Sequence, residues 1–258
     1  MQGSMQSETI YDHPLYYDIL FGWDRAHEAD FYESAFRRFG VNEREDILEV
    51  ACGTGQVGRL LAQRGWKLTG LDSREPMLAF LREQAEAQGI AVRTHCADMV
   101  DFGCESQFGA AFNPLSSFLI LQSDAMAEAH FAAMAAALRV GGLYLLDLGF
   151  DTDVRSDAQT TDETWEEARG EVTVRAENDA VYVDDCGTHS ILPWGSGTHL
   201  RAVTSQWLEQ RVDSVGRFAI ESWHPESGRS AAGISLWSVD VCSEPPVLGR
   251  AMVVLRRV

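Results

Sequence analysis

The sequence predicts an α/β fold, in which a mostly parallel, doubly wound sheet carries helices on both faces. The first reason is the segment ILEVACGTGQVG at 47–58, where an apolar run leads into a glycine-rich turn and then into apolar residues at helical spacing. The second reason is repetition, because short apolar runs alternate with amphipathic segments up to residue 148. Glycines in such a turn let the backbone approach a ligand closely, so we expect a binding site at the carboxyl end of the first strand.

The composition is typical of one large domain spanning 1–258. With 258 residues and 45% hydrophobic content, the chain can bury a sizeable core. The sequence has no run of about 18 apolar residues and no charged-then-apolar leader, so we expect no membrane insertion and a cytoplasmic location. The opening MQGSM, with a second methionine at position 5, predicts a cloning remnant at 1–5.

The charge and the cysteines narrow the choice of partners. The formal net charge is −18, and a surface this acidic repels phosphate backbones, which disfavours RNA or DNA as a partner. The five cysteines are scattered, odd in number and without C-x-x-C spacing. We therefore expect reduced thiols rather than disulfides, and no metal site.

The segment 8–39 is rich in aromatic residues and predicts two short helices before the first strand. Apolar residues at helical spacing place the first helix near 15–20 and the second at 31–39, ending at Gly40. Most of these rings are expected to pack against the sheet. For three of them, a position facing the ligand is equally open: Tyr16, Tyr17 and Trp23.

Between residues 47 and 150 the sequence predicts strands that alternate with helices. Ser73 is placed to cap the helix after the second strand, and Pro114 is placed to stop the fourth strand. The predicted strands are 47–50, 67–72, 92–95, 108–113 and 143–148, and the predicted helices run from about 57, 77 and 127 to stops at 64–65, 88–89 and 139–142.

Beyond residue 150 the pattern changes to alternating apolar and polar residues, which is typical of antiparallel strands. A polar loop is expected at 151–163. The predicted strands of this insertion are 172–176, 181–183 and 200–202, followed by a helix at 204–215 and by strands at 218–223 and 250–255.

The glycine turn alone leaves two nucleotide chemistries open. Gly53, Gly55 and Gly58 satisfy G-x-G-x-x-G, and Asp72 follows at about the distance expected of an acid that binds a ribose. A nicotinamide-dependent oxidoreductase using NAD(P) therefore remains an alternative.

Acids near the ends of three successive strands favour a different cofactor. Glu49 lies inside the first strand, Asp72 ends the second, and Asp98 follows the third. With the turn, they resemble class I S-adenosylmethionine (SAM) methyltransferases, whose E/D-x-G-x-G-x-G motif reads here with Ala51 in place of the first glycine. The segment FGWDRAHEADFY at 21–32 is similar to its counterpart in glycine N-methyltransferases, and the small-molecule branch also includes sugar N-methyltransferases.

This resemblance covers about 11–150 and implies a Rossmann-like sheet of seven strands with strand seven antiparallel. It also implies an antiparallel β lid over the acceptor, inserted after strand five at 160–202. SAM would be the cofactor and S-adenosylhomocysteine (SAH) the product.

By resemblance, each part of the cofactor has its own contacts. Asp72 would accept from the ribose hydroxyls, Asp98 would accept from the adenine amino group, and either His27 or Arg25 would meet the cofactor carboxylate. The other residues that the resemblance places at the cofactor are Tyr17, Trp23, Glu49, Ala51, Gly53, Gly55, Ser73, Met77, Met99 and, at the mouth of the pocket, Asn113.

The function implied is methyl transfer to N or O of a small-molecule acceptor held under the lid. A hydroxyl acceptor would benefit from a general base, and four residues are candidates because of their segments: Tyr17, His13, His189 and His199. A SAM-binding protein without catalytic activity is a further alternative. The identity of the acceptor and the oligomeric state, including a homo-oligomer, stay open.

Overall fold

The computed structural model describes residues 8–104, 108–150, 164–177, 180–194, 200–229, 235–237, 242–246 and 249–258. The helices are α1 (Pro14–Leu20), α2 (Ala26–Arg38), α3 (Gln56–Gln63), α4 (Glu75–Ala87), α5 (Asp124–Ala137) and α6 (Ser205–Val215), with 3-10 helices at Ile10–Asp12 and Ser117–Ile120. The strands are β1 (Asp46–Val50), β2 (Lys67–Asp72), β3 (Val92–Cys96), β4 (Phe108–Asn113), β5 (Leu138–Phe150), β6 (Trp165–Arg169), β7 (Val172–Glu177), β8 (Ala180–Asp185), β9 (Thr188–Pro193), β10 (Phe218–Arg229), β11 (Ser235–Trp237) and β12 (Gly249–Arg257).

The main sheet has the order β11-β10-β12-β5-β4-β1-β2-β3. Strands β3, β2, β1, β4 and β5 run parallel to one another, whereas β12 is antiparallel to both β5 and β10. This arrangement confirms the predicted seven strands with the seventh antiparallel, and the short β11 adds an eighth at the edge. The chain moves outward in opposite directions from β1 and β4, so a crevice forms at the carboxyl ends of these two strands.

Aromatic residues of α2 build the core on one face of this sheet. Tyr32 lies with its ring 4.6 Å from that of Phe112 on β4, and Phe36 packs between Phe112 and Trp66. The opposite face is covered by α5 and α6. Both faces of the central strands are therefore buried, which explains why β4 reads as an uninterrupted apolar run.

The insertion forms a separate antiparallel sheet, the second sheet, in the order β6-β7-β8-β9. It shares a core with the N-terminal segment, because Ile19 and Leu20 of α1 pack against Val174, Val181 and other residues of this sheet. An antiparallel insertion after strand five was predicted, but the predicted strand at 200–202 is wrong. There, Arg201 donates its backbone N–H to Leu119 O (2.8 Å) and its side chain pairs with Asp124, so the segment runs along the main domain.

Strand ends differ more from prediction than strand positions do. The segment 139–142, predicted as a helix stop, already belongs to β5, and β10 continues to Arg229. The N-cap of α4 is Arg74 rather than Ser73. The loop predicted at 151–163 lies outside the described residues. Within the described part of the chain, no helix has the length and apolar character needed to cross a membrane.

Candidate cofactor site

The turn after β1, residues 51–55, has a left-handed backbone at three positions. Ala51 (φ +52°), Gly53 (φ +52°) and Gly55 (φ +69°) share this conformation, and α3 begins directly afterwards. A Cβ at Gly55 would lie 2.5 Å from the Leu81 side chain, and one at Gly53 would lie 3.2 Å from the Tyr17 ring. Ala51, which stands where the E/D-x-G-x-G-x-G motif has its first glycine, therefore adopts the left-handed backbone that glycine favours. An alanine in this conformation has a steric cost that glycine avoids.

Asp72, the predicted ribose acid, is bonded to this turn. Its Oδ2 accepts from the Gly53 N–H (2.8 Å) and its Oδ1 from the Arg74 N–H (2.9 Å). Burial raises the pKa of Asp72, and these N–H groups oppose that shift because they stabilise the carboxylate. The structure thus brings the end of β2 and the glycine turn together, as the prediction requires.

Glu49 lies within β1, and its carboxyl group is buried. Burial raises its pKa to about 8, against the opposing effect of the Arg25 and Arg59 charges. Its Oε2 lies so close to α3 that a Cβ at Gly58 would be 2.3 Å away. The third glycine of G-x-G-x-x-G therefore lets α3 pack closely on β1 and β2, against the Glu49 carboxyl group and the Leu68 side chain.

A cavity of about 20 Å³ lies beside the turn. Ligand pockets usually measure roughly 300–1,000 Å³, so the rings packed against the turn must move to admit a cofactor. Four buried polar atoms on its wall have no hydrogen-bond partner among the described residues: Arg25 Nε, Glu49 Oε2, Thr54 Oγ1 and Gln56 Oε1. Buried polar groups are normally paired, so these atoms favour a polar ligand. The other wall residues are Tyr17, Phe21, Ala51, Cys52, Val57, Pro114, Leu115 and Ser117.

Arg25, and not His27, lies at this wall. Arg25 is 4% exposed, donates to Glu28 Oε2 (2.6 Å) and lies 4.7 Å from the ring of Trp23. His27 is exposed on α2. Of the two residues that the resemblance offers for the carboxylate, Arg25 is the one at the cavity wall, just before the start of α2.

Tyr17 covers the glycine turn from the side of α1. Its ring lies 5.6 Å from that of Tyr11 and 4.6 Å from that of Phe21. Burial raises the pKa of Tyr17 far above its usual value, so its phenol stays protonated at neutral pH.

The predicted adenine contacts lie around the loop after β3. Asp98 is exposed, and its Oδ1 accepts from the Val100 N–H at 3.0 Å. The Met99 side chain is buried in the core. Met77 is buried in the first turn of α4, whereas Ser73 is exposed before it.

Asn113 lies inside the protein rather than at the mouth of the pocket. It is 0% exposed, its Nδ2 donates to Val50 O (3.0 Å), and its Oδ1 accepts from the Phe118 N–H (2.7 Å). Both ends of the amide are used by backbone groups, so its role is to join β4 to the end of β1. Pro114 and Leu115 reach the cavity wall instead.

Among the four candidate bases, Tyr17 lies at the cavity. His13 is 3.2 Å from Glu8 Oε2 and stacks on Tyr16, and His189 is exposed on β9; neither belongs to the cavity wall. His199 lies outside the described residues.

An ion pair at the end of β5 was not predicted. Asp147 is 1% exposed and pairs with Arg250 of β12, with Nε 2.8 Å from Oδ1. Its Oδ2 also accepts from the N–H of Leu115 (2.9 Å), a cavity-wall residue with φ +57°. An acid inside an apolar strand is the signal that singled out Glu49, and Asp147 carries it too.

Comparison with known proteins identifies a methyltransferase domain at residues 47–142. A putative methyltransferase from Geobacillus sp. (strain WCH70), GWCH70_2453, is 29% identical over 46% of this chain and 48% of its own length. A dTDP-3-amino-3,4,6-trideoxy-alpha-D-glucopyranose N,N-dimethyltransferase from Streptomyces venezuelae is 29% identical over 53% of this chain and 56% of its own. The chain thus spans about half the length of the curated relatives it matches.

Solved structures share the fold over nearly the whole chain. A SAM-dependent methyltransferase from Clostridium acetobutylicum superimposes with a TM-score of 0.69, 18% identity and 96% coverage of both chains. CalS10, an amino pentose methyltransferase from Micromonospora echinaspora, gives a TM-score of 0.66, 19% identity and complete coverage of both chains. At these identities the likeness establishes the architecture of class I methyltransferases.

Proposed function

We propose that this chain, a member of the SAM-dependent methyltransferases through its domain at 47–142, transfers a methyl group from SAM to N or O of a small-molecule acceptor. The observation that supports this most directly is the set of unpaired buried polar atoms beside the glycine turn. They include Nε of Arg25, a cation whose Nη1 pairs with Glu28, and Oε2 of the Glu49 carboxyl group on the same wall. A zwitterionic amino acid group, as in SAM, needs both.

The residues present fit each part of SAM. Arg25 would hold the carboxylate and Glu49 the ammonium group, while Gly53, which has no Cβ, would let the ligand approach the backbone once the Tyr17 ring has moved. Asp72 would meet the ribose beside the turn, and Asp98 would accept from the adenine amino group. SAM supplies a methyl group already activated by its sulfonium.

The protein's task is then to position the acceptor and exclude water. Holding the reacting groups in line can account for roughly 7–11 kcal/mol of the barrier. Tyr17, Phe21 and Leu115 form an apolar wall that suits this role. Because the phenol of Tyr17 stays protonated, and neither His13 nor His189 lies at the wall, an amine acceptor that arrives neutral is favoured over a hydroxyl that needs a base.

The second sheet and α1 together form the proposed lid over the acceptor. Phe21 lies at the cavity wall, with its ring 6.0 Å from that of Trp165 and 6.1 Å from that of Trp194. The named activities of the Streptomyces venezuelae relative and of CalS10 support a small amine-bearing acceptor. The net charge of −18 disfavours nucleic acid, and the unpaired cysteines favour a cytoplasmic location.

Calorimetry tests the cofactor. We expect wild-type protein to bind SAH and not NAD, and we expect Arg25→Gln to weaken SAH binding while leaving adenosine binding unchanged, because adenosine has no carboxylate. His27→Gln on the exposed side of α2 is the matched control and should behave as wild type. Tight NAD binding without SAH binding would instead establish the oxidoreductase alternative.

A transfer assay tests the activity itself. Label from [methyl-³H]SAM should appear on amino sugars and other small amines, and less on the corresponding alcohols. A protein that binds SAH but transfers no label to any acceptor in a metabolite panel would be a SAM-binding protein without catalytic activity.

A further inference from the structure

The loop after β3, residues 97–101 and here called the Asp98 loop, is held from the core by a buried histidine. His130 of α5 is 0% exposed; its Nδ1 lies 2.8 Å from Met99 O and its Nε2 lies 2.7 Å from the Tyr144 hydroxyl oxygen. No sequence motif marks either His130 or Tyr144 as a site residue. Both ring nitrogens are engaged, and one of them reaches the loop that holds the predicted adenine contact.

The partners of His130 fix its protonation state. A carbonyl oxygen only accepts, so Nδ1 carries the hydrogen and donates to Met99, and Nε2 accepts from the Tyr144 hydroxyl. Burial lowers the pKa of His130 to about 4 and raises that of Tyr144, so both groups are neutral at physiological pH. This arrangement keeps a constant donor pointed at the loop.

The bond to Met99 O reaches Asp98 through a single peptide unit. In the Met99–Val100 peptide, the C=O accepts from His130 and the N–H donates to Asp98 Oδ1 at 3.0 Å. The loop is also closed by the Asp101 N–H, which donates to Asp98 O at 3.1 Å. Rotating this peptide would break both of its bonds, so His130 limits the positions open to the Asp98 carboxylate.

We infer that His130 is a positioning residue that sets adenine recognition by holding the Asp98 carboxylate through the Met99–Val100 peptide. This inference rests on the proposed function, in which Asp98 accepts from the adenine amino group. Hypoxanthine carries a carbonyl oxygen at that place, so a carboxylate fixed there discriminates against it. A carboxylate free to turn away discriminates less.

A purely structural role for His130 is the competing explanation, because its ring packs 5.3 Å from Phe118 and 6.0 Å from Phe131. Tyr144→Phe separates the two explanations. This variant removes the partner of Nε2 at the same buried site and keeps the bond to Met99, so it carries a comparable loss of core polarity without releasing the loop.

The test is calorimetry on the full chain, freed of bound cofactor, with SAH and with S-inosylhomocysteine, its hypoxanthine analogue. His130→Leu should weaken SAH binding about tenfold, because the hydrogen bond to Met99 O that positions the Asp98 loop is lost. The same variant should lower the preference for SAH over the inosyl compound. Tyr144→Phe should keep both the affinity and the preference within about twofold of wild type, while lowering Tm.

A pair of amide variants covers the case in which His130→Leu does not fold. An Asn amide replaces Nδ1 and can still donate to Met99 O, whereas a Gln amide extends towards Tyr144. His130→Asn should therefore keep the preference for adenine, and His130→Gln should lose it.

The outcomes separate the two hypotheses. If wild type binds no SAH, the proposed function is wrong and the inference falls with it. If wild type binds SAH and prefers it, but His130→Leu or His130→Gln keeps the full preference, or Tyr144→Phe loses as much of it, then the positioning role alone is overturned.

Discussion

On the β2–β3 side of the glycine turn, the ligand-facing segments are bonded to elements of the main domain, whereas on the other side α1 is bonded both to the main domain and to the second sheet. Asp72 accepts from the Gly53 and Arg74 N–H groups, and His130 donates to Met99 O. By contrast, Asp18 of α1 accepts from Arg59 of α3 (2.8 Å) and from Arg169 of β6 (2.9 Å). The first side is preorganised within the main domain, and the second is a junction between three segments, α1, α3 and β6.

The junction explains how a cavity of about 20 Å³ can serve a cofactor. Gln56 donates to Asp18 O (2.8 Å), and Trp165 donates to Leu20 O (3.0 Å), so α1 is attached both to the glycine turn's helix and to the second sheet. We propose that the site opens when α1 leaves α3 while it stays packed on the second sheet.

The largest expected effect comes from breaking this junction with Asp18→Asn. Asp18 is 2% exposed, and its loss as an anion leaves the buried Arg59 without its charge partner. Removing one partner of a buried pair typically costs about 3–5 kcal/mol, and we expect a loss in the free energy of unfolding towards the lower end, because Arg169 is half exposed. Denaturant titration measures it, and Asp185→Asn, at the half-buried contact with the Tyr16 hydroxyl, is the control.

Hydrogen exchange on the same variant sharpens the comparison. Amides of α1 and the second sheet should exchange faster in Asp18→Asn, while those of β1, β2 and β3 keep wild-type rates. Uniform acceleration across both regions would show that the two sides open together and that the junction is not a separate unit.

Gly58→Ala tests the close approach of α3 to Glu49. The added Cβ would lie 2.3 Å from Glu49 Oε2 and 2.6 Å from Leu68, so we expect a loss of about 1–3 kcal/mol by overpacking together with weaker SAH binding. Gly149→Ala in β5 is the matched control, since a Cβ there meets nothing within 4 Å. A Gly58→Ala protein with wild-type stability would contradict the explanation given for the third glycine.

The pKa of Glu49 predicts a pH dependence on the cavity side. Its folded-state pKa of about 8 lies above its ordinary value of 4.5, so its contribution to stability is present at low pH and is lost as the pH rises towards 8. Over that window the free energy of unfolding should fall by at most about 1.4 kcal/mol per pH unit from this group. Glu49→Gln, compared by denaturant titration at several pH values, should remove that slope.

Cofactor binding should show the opposite trend. An ammonium group needs the ionised carboxylate, so SAH affinity should rise from pH 6 to pH 8 in wild type and stay flat in Glu49→Gln. Equal pH profiles in the two proteins would place the ammonium group elsewhere.

The two sides also differ in how far the sequence predicts them. The glycine turn, Asp72 and the strand order follow from local patterns, because each signal lies within one strand–turn–helix unit. The contacts that complete the site join residues far apart in the chain: 31 positions separate His130 from Met99, and 103 separate Arg250 from Asp147. Nothing local in the sequence records such a pair.

Errors in the prediction have the same origin. Asn113 was placed at the pocket mouth because it ends a strand, but its amide is bonded to Val50 and Phe118. The strand predicted at 200–202 alternates correctly, yet Arg201 finds partners on Leu119 and Asp124 instead of a neighbouring strand. In both cases tertiary partners decided the outcome.

The smallest expected effects come from two residues with the same left-handed backbone conformation, one in the main domain and one in the second sheet. Ala51 in the glycine turn and Cys186 in the turn between β8 and β9 both have φ +52°. A side chain in this left-handed conformation costs about 1–2 kcal/mol, and glycine gives back about 0.4–1 kcal/mol through the entropy of the unfolded chain, so each change to glycine should stabilise its own region by roughly 0.5–1 kcal/mol. If the second sheet opens by itself, Ala51→Gly raises the free energy of global unfolding, whereas Cys186→Gly slows only local exchange in β8 and β9. An equal rise in global stability from both variants would mean that the second sheet unfolds together with the main sheet. The proposed junction at Asp18 would then have to open without any separate unfolding of the second sheet.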